Sequence, residues 1–164
     1  NPPVLPTSQP YYAGNRMTME GVDKREAAYV CSIKKKEKAA VLVNSSQPLN
    51  NLLAEKLAEG LRSQGLEVGN SGTTNLTLAI STAAVTVEEK TFTYVTKSKV
   101  SLQVIADFQG NKLTKQFNMS SSKEEPGEPT MADLESTLNQ QLGSVLQQIM
   151  ADEALRGYLK GQPS

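Results

Sequence analysis

Histidine and tryptophan are both absent from this 164-residue sequence, and cysteine occurs once. The missing histidine removes the commonest general base and the commonest metal ligand. Aromatic residues make up only 5% of the chain, so stacking surfaces for bases or sugars are poorly provided for. The single cysteine, Cys31, cannot form an intramolecular disulfide, and its apolar setting at 27–33 predicts a buried, unreactive thiol.

Charge and hydropathy exclude two further classes of protein. The 17 basic residues balance the 17 acidic ones, so the basic excess typical of nucleic-acid binding is missing. No apolar run reaches the length needed to cross a bilayer, and the sequence therefore predicts no membrane-spanning helix. The length fits one domain, in which about two-thirds of the unfolded surface becomes buried.

The stretch at about 75–120 alternates apolar and polar residues with period two. This pattern is typical of strands with one buried and one solvated face. With turn residues near 88–90 and 109–111, it predicts an antiparallel meander of three long strands. The residues predicted to be buried are Leu76, Leu78, Ile80, Phe92, Tyr94, Val100, Leu102, Val104, Ala106, Phe108, Leu113, Phe117 and Met119.

Shorter elements precede and follow this meander. A weak alternation at 15–22 predicts a first strand, and two apolar runs at 27–33 and 39–43 predict a hairpin around a lysine-rich turn. The polar stretch at 121–129 is interpreted as a linker, and 152–160 as a short helix with Leu155 and Leu159 turned inward.

Two segments, at about 48–64 and 131–150, carry apolar residues at the helical spacing of three and four. Ser46 is the predicted N-cap of the first helix, and Thr130 with Asp133 predicts a capping arrangement at the second. The fold class is therefore predicted to be α+β. It is expected to be a two-layer sandwich, in which an antiparallel sheet containing the meander is covered on one face by these two amphipathic helices.

The predicted domain organisation follows from proline content. Four prolines among the first ten residues exclude a helix and favour a tether. We therefore assign 1–14 to a proline-rich tether, 15–160 to a single α+β domain and 161–164 to a frayed C-terminus.

No catalytic, cofactor-binding or metal-binding set is predicted. Ser32 with Lys35, and Ser120 with Lys123, match a Ser-x-x-Lys pattern. Both lysines fall in charged, solvated turns, which would not depress the lysine pKa. The clustered glutamates at 124–128 are interpreted as solvated loop charges.

The predicted binding surface is the polar face of the sheet, which consists of Thr93, Lys97, Lys99, Ser101 and Gln103. Asp23 and Arg25 form either a local ion pair or a recognition turn. A sheet edge could also accept a strand from a partner by β-augmentation.

The order of these elements, together with three short phrases, carries a family resemblance. Asp23 and Arg25 close a predicted strand, LRSQGL at 61–66 ends the first helix, and GNKLTK at 110–115 lies in the long hairpin. Over about 15–160 the chain resembles the YajG family of bacterial lipoproteins. The resemblance implies a Gram-negative envelope protein, which a lipidated N-terminal cysteine holds at the outer membrane after signal-peptide removal. That cysteine is not in this sequence, since Cys31 lies inside the predicted fold, so the tether is expected to follow the lipid anchor.

The resemblance transfers no catalytic residue, because the family has none established. The leading hypothesis is a non-enzymatic periplasmic domain, tethered to the outer membrane, that acts as a binding or structural accessory module. Its expected partners are the membrane and an envelope protein, without nucleic acid or cofactor. One alternative is a hydrolase of peptidoglycan or another glycan, which predicts an acidic cleft. The other is a carrier of hydrophobic ligands, which predicts an apolar cavity between helices and sheet.

Overall fold

The structure, a computed structural model, describes residues 11–12 and 15–161. Most of the predicted tether and the last three residues lie outside this part of the chain. The described residues form seven strands and three helices, in the order β1 (Arg16–Asp23), β2 (Tyr29–Lys34), β3 (Val41–Asn44), α1 (Leu49–Ser63), β4 (Glu67–Gly69), β5 (Thr74–Glu89), β6 (Tyr94–Phe108), β7 (Asn111–Glu125), α2 (Met131–Ala151) and α3 (Glu153–Lys160).

The long strand β5 organises the sheet. One edge of β5 pairs with β6 in antiparallel fashion over its whole length, and β6 pairs in turn with antiparallel β7. The other edge is shared lengthwise by two strands, because β1 runs parallel to the first half of β5 and β2 runs parallel to the second half. Beyond them lie β4, parallel to β1, and β3, antiparallel to β2. The sheet is therefore mixed and curled.

The predicted meander is confirmed, but the prediction of an antiparallel sheet is only partly correct. The pairs β1–β5, β1–β4 and β2–β5 are parallel. Alternation in a sequence identifies the buried face of a strand but not the strand beside it. The parallel pairs therefore could not be predicted from the alternation. The linker predicted at 121–129 is also partly wrong, because β7 continues to Glu125.

The core lies between the sheet and the two long helices, which cover the same face. Residues from both layers have almost no exposed surface, among them Leu53, Leu57, Leu102, Val104 and Leu146. The short helix α3 adds Leu155 and Leu159, as predicted. A bulge between Ile80 and Thr82 then moves the buried register of β5 onto Ala83, Val85 and Val87.

The predicted burial of Phe92 is wrong, because its side chain is 86% exposed in the turn between β5 and β6. Four other members of the predicted set are only half-buried, namely Tyr94, Phe108, Leu113 and Met119. Most of these residues lie near strand ends or on β7, where the helices give less cover.

The helix starts differ in how well the sequence identified them. Thr130 and Asp133 form the predicted capping box, in which the Asp133 backbone N–H donates to Thr130 Oγ1 at 3.1 Å and the Thr130 N–H donates to Asp133 Oδ2 at 3.0 Å. The predicted cap at Ser46 is wrong, since α1 begins after Pro48 without a side-chain capping bond.

The first turn of α1 lies directly on β1. A Cβ at Gly21 would approach the backbone oxygen of Asn50 to 2.2 Å.

Candidate functional site

The predicted polar face of the sheet is the face that the helices leave open. Lys97, Lys99, Ser101 and Gln103 alternate along β6 with buried residues of the core, so they point away from α1 and α2. The residues opposite them on β7 are also polar: Ser122, Ser120, Asn118 and Gln116.

The five residues predicted to form this face differ in exposure and in hydrogen bonding. Lys97 and Lys99 are exposed, and Gln103 is half-buried. Ser101 is buried despite lying on the open face, because it donates to Asn118 Oδ1 at 2.5 Å and accepts from Gln116 Nε2 at 2.9 Å. Thr93 precedes the strand and donates to Glu124 Oε2 at 2.5 Å. The structure therefore leaves two lysines available for contact, whereas Ser101 and Thr93 join β6 to β7.

Asp23 and Arg25 form a local ion pair at the end of β1. The Arg25 Nε and Nη2 atoms donate to the two Asp23 carboxylate oxygens at 2.9 and 2.7 Å, and the Arg25 backbone N–H donates at 3.0 Å. The Arg25 side-chain hydrogen bond holds the pKa of Asp23 below its usual value. Asp23 lies opposite Ile80, a core residue, so this pair belongs to the helix-covered face and is separate from the lysines.

At the end of the fold near Tyr12, which we call the proximal end, aromatic and polar side chains are packed against the ends of the helices. The Tyr12 backbone N–H donates to the Gln64 carbonyl at 2.9 Å, and the side chain of Tyr12 is buried. The Arg156 guanidinium lies 3.7 Å from the centre of the Tyr11 ring and donates to the Met150 carbonyl at 3.0 Å. Burial raises the pKa of Tyr12. Both tyrosines lie in the segment predicted to be a tether, because the four prolines before them concealed that Tyr12 docks onto the fold.

The opposite end, which we call the distal end, contains the β2–β3 turn, the β5–β6 turn and the start of α2. These segments are joined by an ion pair from Lys35 Nζ to Glu128 Oε1 at 2.7 Å and by a hydrogen bond from the Lys36 backbone N–H to Glu89 Oε1 at 2.9 Å. Because β5 has 16 residues, its two ends are up to about 50 Å apart.

A groove of about 460 Å³ opens beside β3 in the distal half of the molecule. Its floor includes Cys31, whose thiol is buried, as predicted; burial, and secondarily the Glu135 carboxylate, raise the pKa of this thiol. The lining is mainly apolar and comprises Val30, Cys31, Val43, Leu49, Leu52, Met131, Leu138 and Leu142, with Asn44, Ser45, Ser46, Gln47, Glu135 and Asn139 also present.

Four carboxyl groups of the described residues have a pKa that is clearly displaced. Where a carboxyl pKa is clearly displaced, it is lowered by a hydrogen-bond donor or cation, as at Asp23, Glu88, Glu89 and Asp133. Across 11–12 and 15–161, no group of three or more His, Cys, Asp or Glu side chains could hold a metal ion. In the same residues no helix is both long and apolar enough to span a bilayer.

A family model described as "Uncharacterized lipoprotein" matches residues 2–160. No curated protein matches the chain by sequence.

Among solved structures, protein XCC0632 from Xanthomonas campestris is similar over 95% of this chain and 94% of its own, with a TM-score of 0.69 and 9% identity. The hypothetical protein CT253 from Chlamydia trachomatis gives a TM-score of 0.48 at 11% identity, over 92% of this chain and 100% of its own. Rare lipoprotein B from Shewanella oneidensis gives 0.44 at 12% identity, over 78% and 96% respectively. The first of these likenesses supports the fold.

Proposed function

Because this chain belongs to the YajG-type family of uncharacterized lipoproteins, we propose that it is a non-enzymatic accessory module of the cell envelope. The lipid anchor would hold the domain at the outer membrane, with the domain in the periplasm. The module would act by contact with an envelope protein.

The observation that carries this proposal is the open face of the sheet. The helices already bury the apolar face of the sheet, so the polar face does not need to be buried for stability. This polar face presents Lys97 and Lys99 side by side. Alternate residues of a strand lie about 7 Å apart on one face, so the two ammonium groups can meet one acidic patch together. The Ser101 network holds this part of β6 firmly against β7. We infer that the two lysines contact an acidic surface of the partner.

The two alternative functions have less support. A glycan hydrolase needs a carboxylic acid whose pKa is raised so that it can donate a proton. The displaced carboxyl groups named above are shifted in the opposite direction. A carrier of hydrophobic ligands needs a cavity inside the core. The centre of this core is closely packed around residues such as Leu53 and Leu102, and the groove lies at its margin.

In-cell photocrosslinking of the full lipidated protein tests the proposal. A photoreactive residue at position 99 should yield a discrete adduct with one envelope protein. The same probe at Gln147, which is exposed on α2, should not. Identical adducts from both positions, or adducts only with abundant envelope proteins, would contradict a dedicated contact.

A charge reversal sharpens this test. The double variant Lys97→Glu with Lys99→Glu should abolish the adduct captured by a probe at Gln103. The matched control is Lys24→Glu with Lys160→Glu, which changes the net charge equally at exposed positions elsewhere. Equal losses in the two double variants would attribute the effect to net charge and refute the proposed site.

A further inference from the structure

The large apolar side chains that the fold leaves exposed are gathered at one end. Within the described residues, the large apolar side chains with high exposure are Val41, Leu42, Phe92 and Met131. Val41 lies opposite Ile33, which in turn lies opposite Val87 near the far end of β5. Phe92 lies in the next turn, and Met131 begins α2, three residues after the ion-paired Glu128. All of them therefore belong to the distal end.

The sheet edges in the described part of the chain are β3, β4 and β7, and two of them are protected. β4 has only three residues, and Arg62 caps its Val68 carbonyl with hydrogen bonds of 3.1 and 2.9 Å. β7 carries charged side chains on its helix-covered face, where Lys115 pairs with Asp152. Inward charges and covered carbonyls are the usual defences against unwanted strand pairing.

The edge at β3 is also short, but none of its four residues is charged. Its sequence is Val-Leu-Val-Asn, and both Val41 and Leu42 are more than half exposed. Exposed apolar edges are templates for pairing with another strand. This edge is therefore the one on which the fold permits an additional strand.

The groove lies where the side chains of such a strand would fall. Val43 lines the groove and lies opposite Cys31, so it faces the helices. A strand paired with β3 would extend the sheet toward Met131, which is 47% exposed, along the groove that the buried Leu138 also lines. Every second side chain of the new strand would enter the groove. β3 offers few backbone hydrogen bonds because it has four residues, so burial of these side chains must supply most of the affinity.

The charge near β3 indicates which kind of added strand would bind there. Lys38 lies three residues before β3, and its side chain forms no ion pair within 11–12 and 15–161. An acidic residue of the docked segment near Lys38 would therefore be favoured.

We propose that β3 accepts an extended segment of a second envelope protein as an added strand. Its alternate residues are apolar and fill the groove, and an acidic residue meets Lys38. This inference rests on the proposed function as a contact module, and it names a second contact surface together with the chemistry of its partner.

Photocrosslinking in cells also tests this inference, using the full lipidated protein. Probes at Leu42, at Glu67 on the β4 edge and at Lys112 on the β7 edge should yield an adduct only from Leu42. Mass spectrometry should map it to an apolar, alternating segment of another protein. Probes at Val41 and Val43 should label residues of that segment two positions apart, which is the signature of a paired strand. Lys38→Glu should lower the yield about tenfold, whereas Lys24→Glu should leave it unchanged.

Several outcomes would overturn the strand-docking inference: no adduct from Leu42, equal yields from Glu67 and Lys112, or an adduct with phospholipid or with a second copy of this chain. The probe at position 99 separates this failure from that of the proposed function. If position 99 still captures its partner, only strand docking is wrong. If neither position captures a protein, the contact module itself is wrong.

Discussion

The proximal and distal ends of this domain differ in how their aromatic and apolar side chains are packed. At the proximal end Tyr12 is buried, its backbone is hydrogen-bonded to Gln64, and Arg156 stacks on Tyr11. At the distal end Phe92 is almost fully exposed and a groove opens beside β3. The proximal aromatic residues serve folding. Exposed apolar side chains contribute little to folding, and contact with another molecule would explain why they share one end of the domain.

The difference arises from how α1 and α2 meet the sheet. The C-terminal end of α1 reaches the end of α2, where Gln64 Nε2 donates to the Met150 carbonyl at 3.4 Å. The N-terminal end of α1 instead lies close to β1 at Gly21. The starts of the two helices both border the groove, at Leu49 and Met131. The fold thus closes the core at one end and leaves a gap at the other.

The largest expected effect comes from two aromatic substitutions at opposite ends. Tyr12→Ala should lower the free energy of unfolding by about 3 kcal/mol, because it removes a buried ring and leaves a cavity. Phe92→Ala should change it by less than about 0.5 kcal/mol, since the ring is exposed. Urea unfolding of both variants measures the difference. Similar losses in the two variants would show that the ends do not differ as described.

Close approach in the middle of the molecule should give the next largest effect. Gly21→Ala should cost about 2 kcal/mol, because the added methyl group meets the backbone oxygen of Asn50 at 2.2 Å and α1 must move. Gly69→Ala is the matched control, since a Cβ there meets nothing within 4 Å. Thermal unfolding of the two variants provides the measurement. A stable Gly21→Ala protein would mean that α1 lies farther from β1, and the stated origin of the groove would fail.

The sequence predicted the parts of this fold that depend on periodicity. Alternation identified β5, β6 and β7, and the spacing of leucines identified α1 and α2. Periodicity does not encode which strands are neighbours, so the sharing of β5 between β1 and β2 was missed. Local composition also misled in two places, where prolines concealed the docking of Tyr12 and a turn placed Phe92 outside the buried register.

The candidate sites follow the same division. The exposure of Lys97 and Lys99 could be predicted from the sequence, because charged side chains that alternate with apolar ones along a strand point to its solvated face. The sequence could not single out the β3 edge as a candidate site. That choice depends on the groove beside β3 and on the protection of the β4 and β7 edges. Those features bring together residues distant in sequence, such as Val43 with Met131 and Arg62 with Val68.

The ion pair at the end of β1 should have a smaller effect that depends on pH. Asp23→Asn should destabilise the protein by about 1.5 kcal/mol at pH 7, because the mostly buried Arg25, 8% exposed at its side chain, loses its charged partner. The pKa of Asp23 is lowered in the folded state. Its contribution is therefore fully present above the unfolded pKa of about 3.9 and is lost as the pH falls through the lower folded value. The difference in unfolding free energy between parent and variant should begin to shrink as the pH falls below about 4; a constant difference at all pH values would exclude the ion pair as the cause.

The smallest effect compares the two helix starts that border the groove. Thr130→Ala should cost about 1 kcal/mol, because it removes the hydroxyl that accepts from the Asp133 backbone N–H. Ser46→Ala should cost less than about 0.5 kcal/mol, since Ser46 makes no capping bond to α1. Chemical denaturation can resolve the two if the slope with denaturant is unchanged. If Thr130→Ala were neutral, the start of α2 would be loosely held, and the groove would then reflect a frayed helix. A measurable loss indicates instead that α2 is firmly formed up to Met131, so that the exposed apolar surface at the distal end belongs to well-ordered elements suited to receiving a partner.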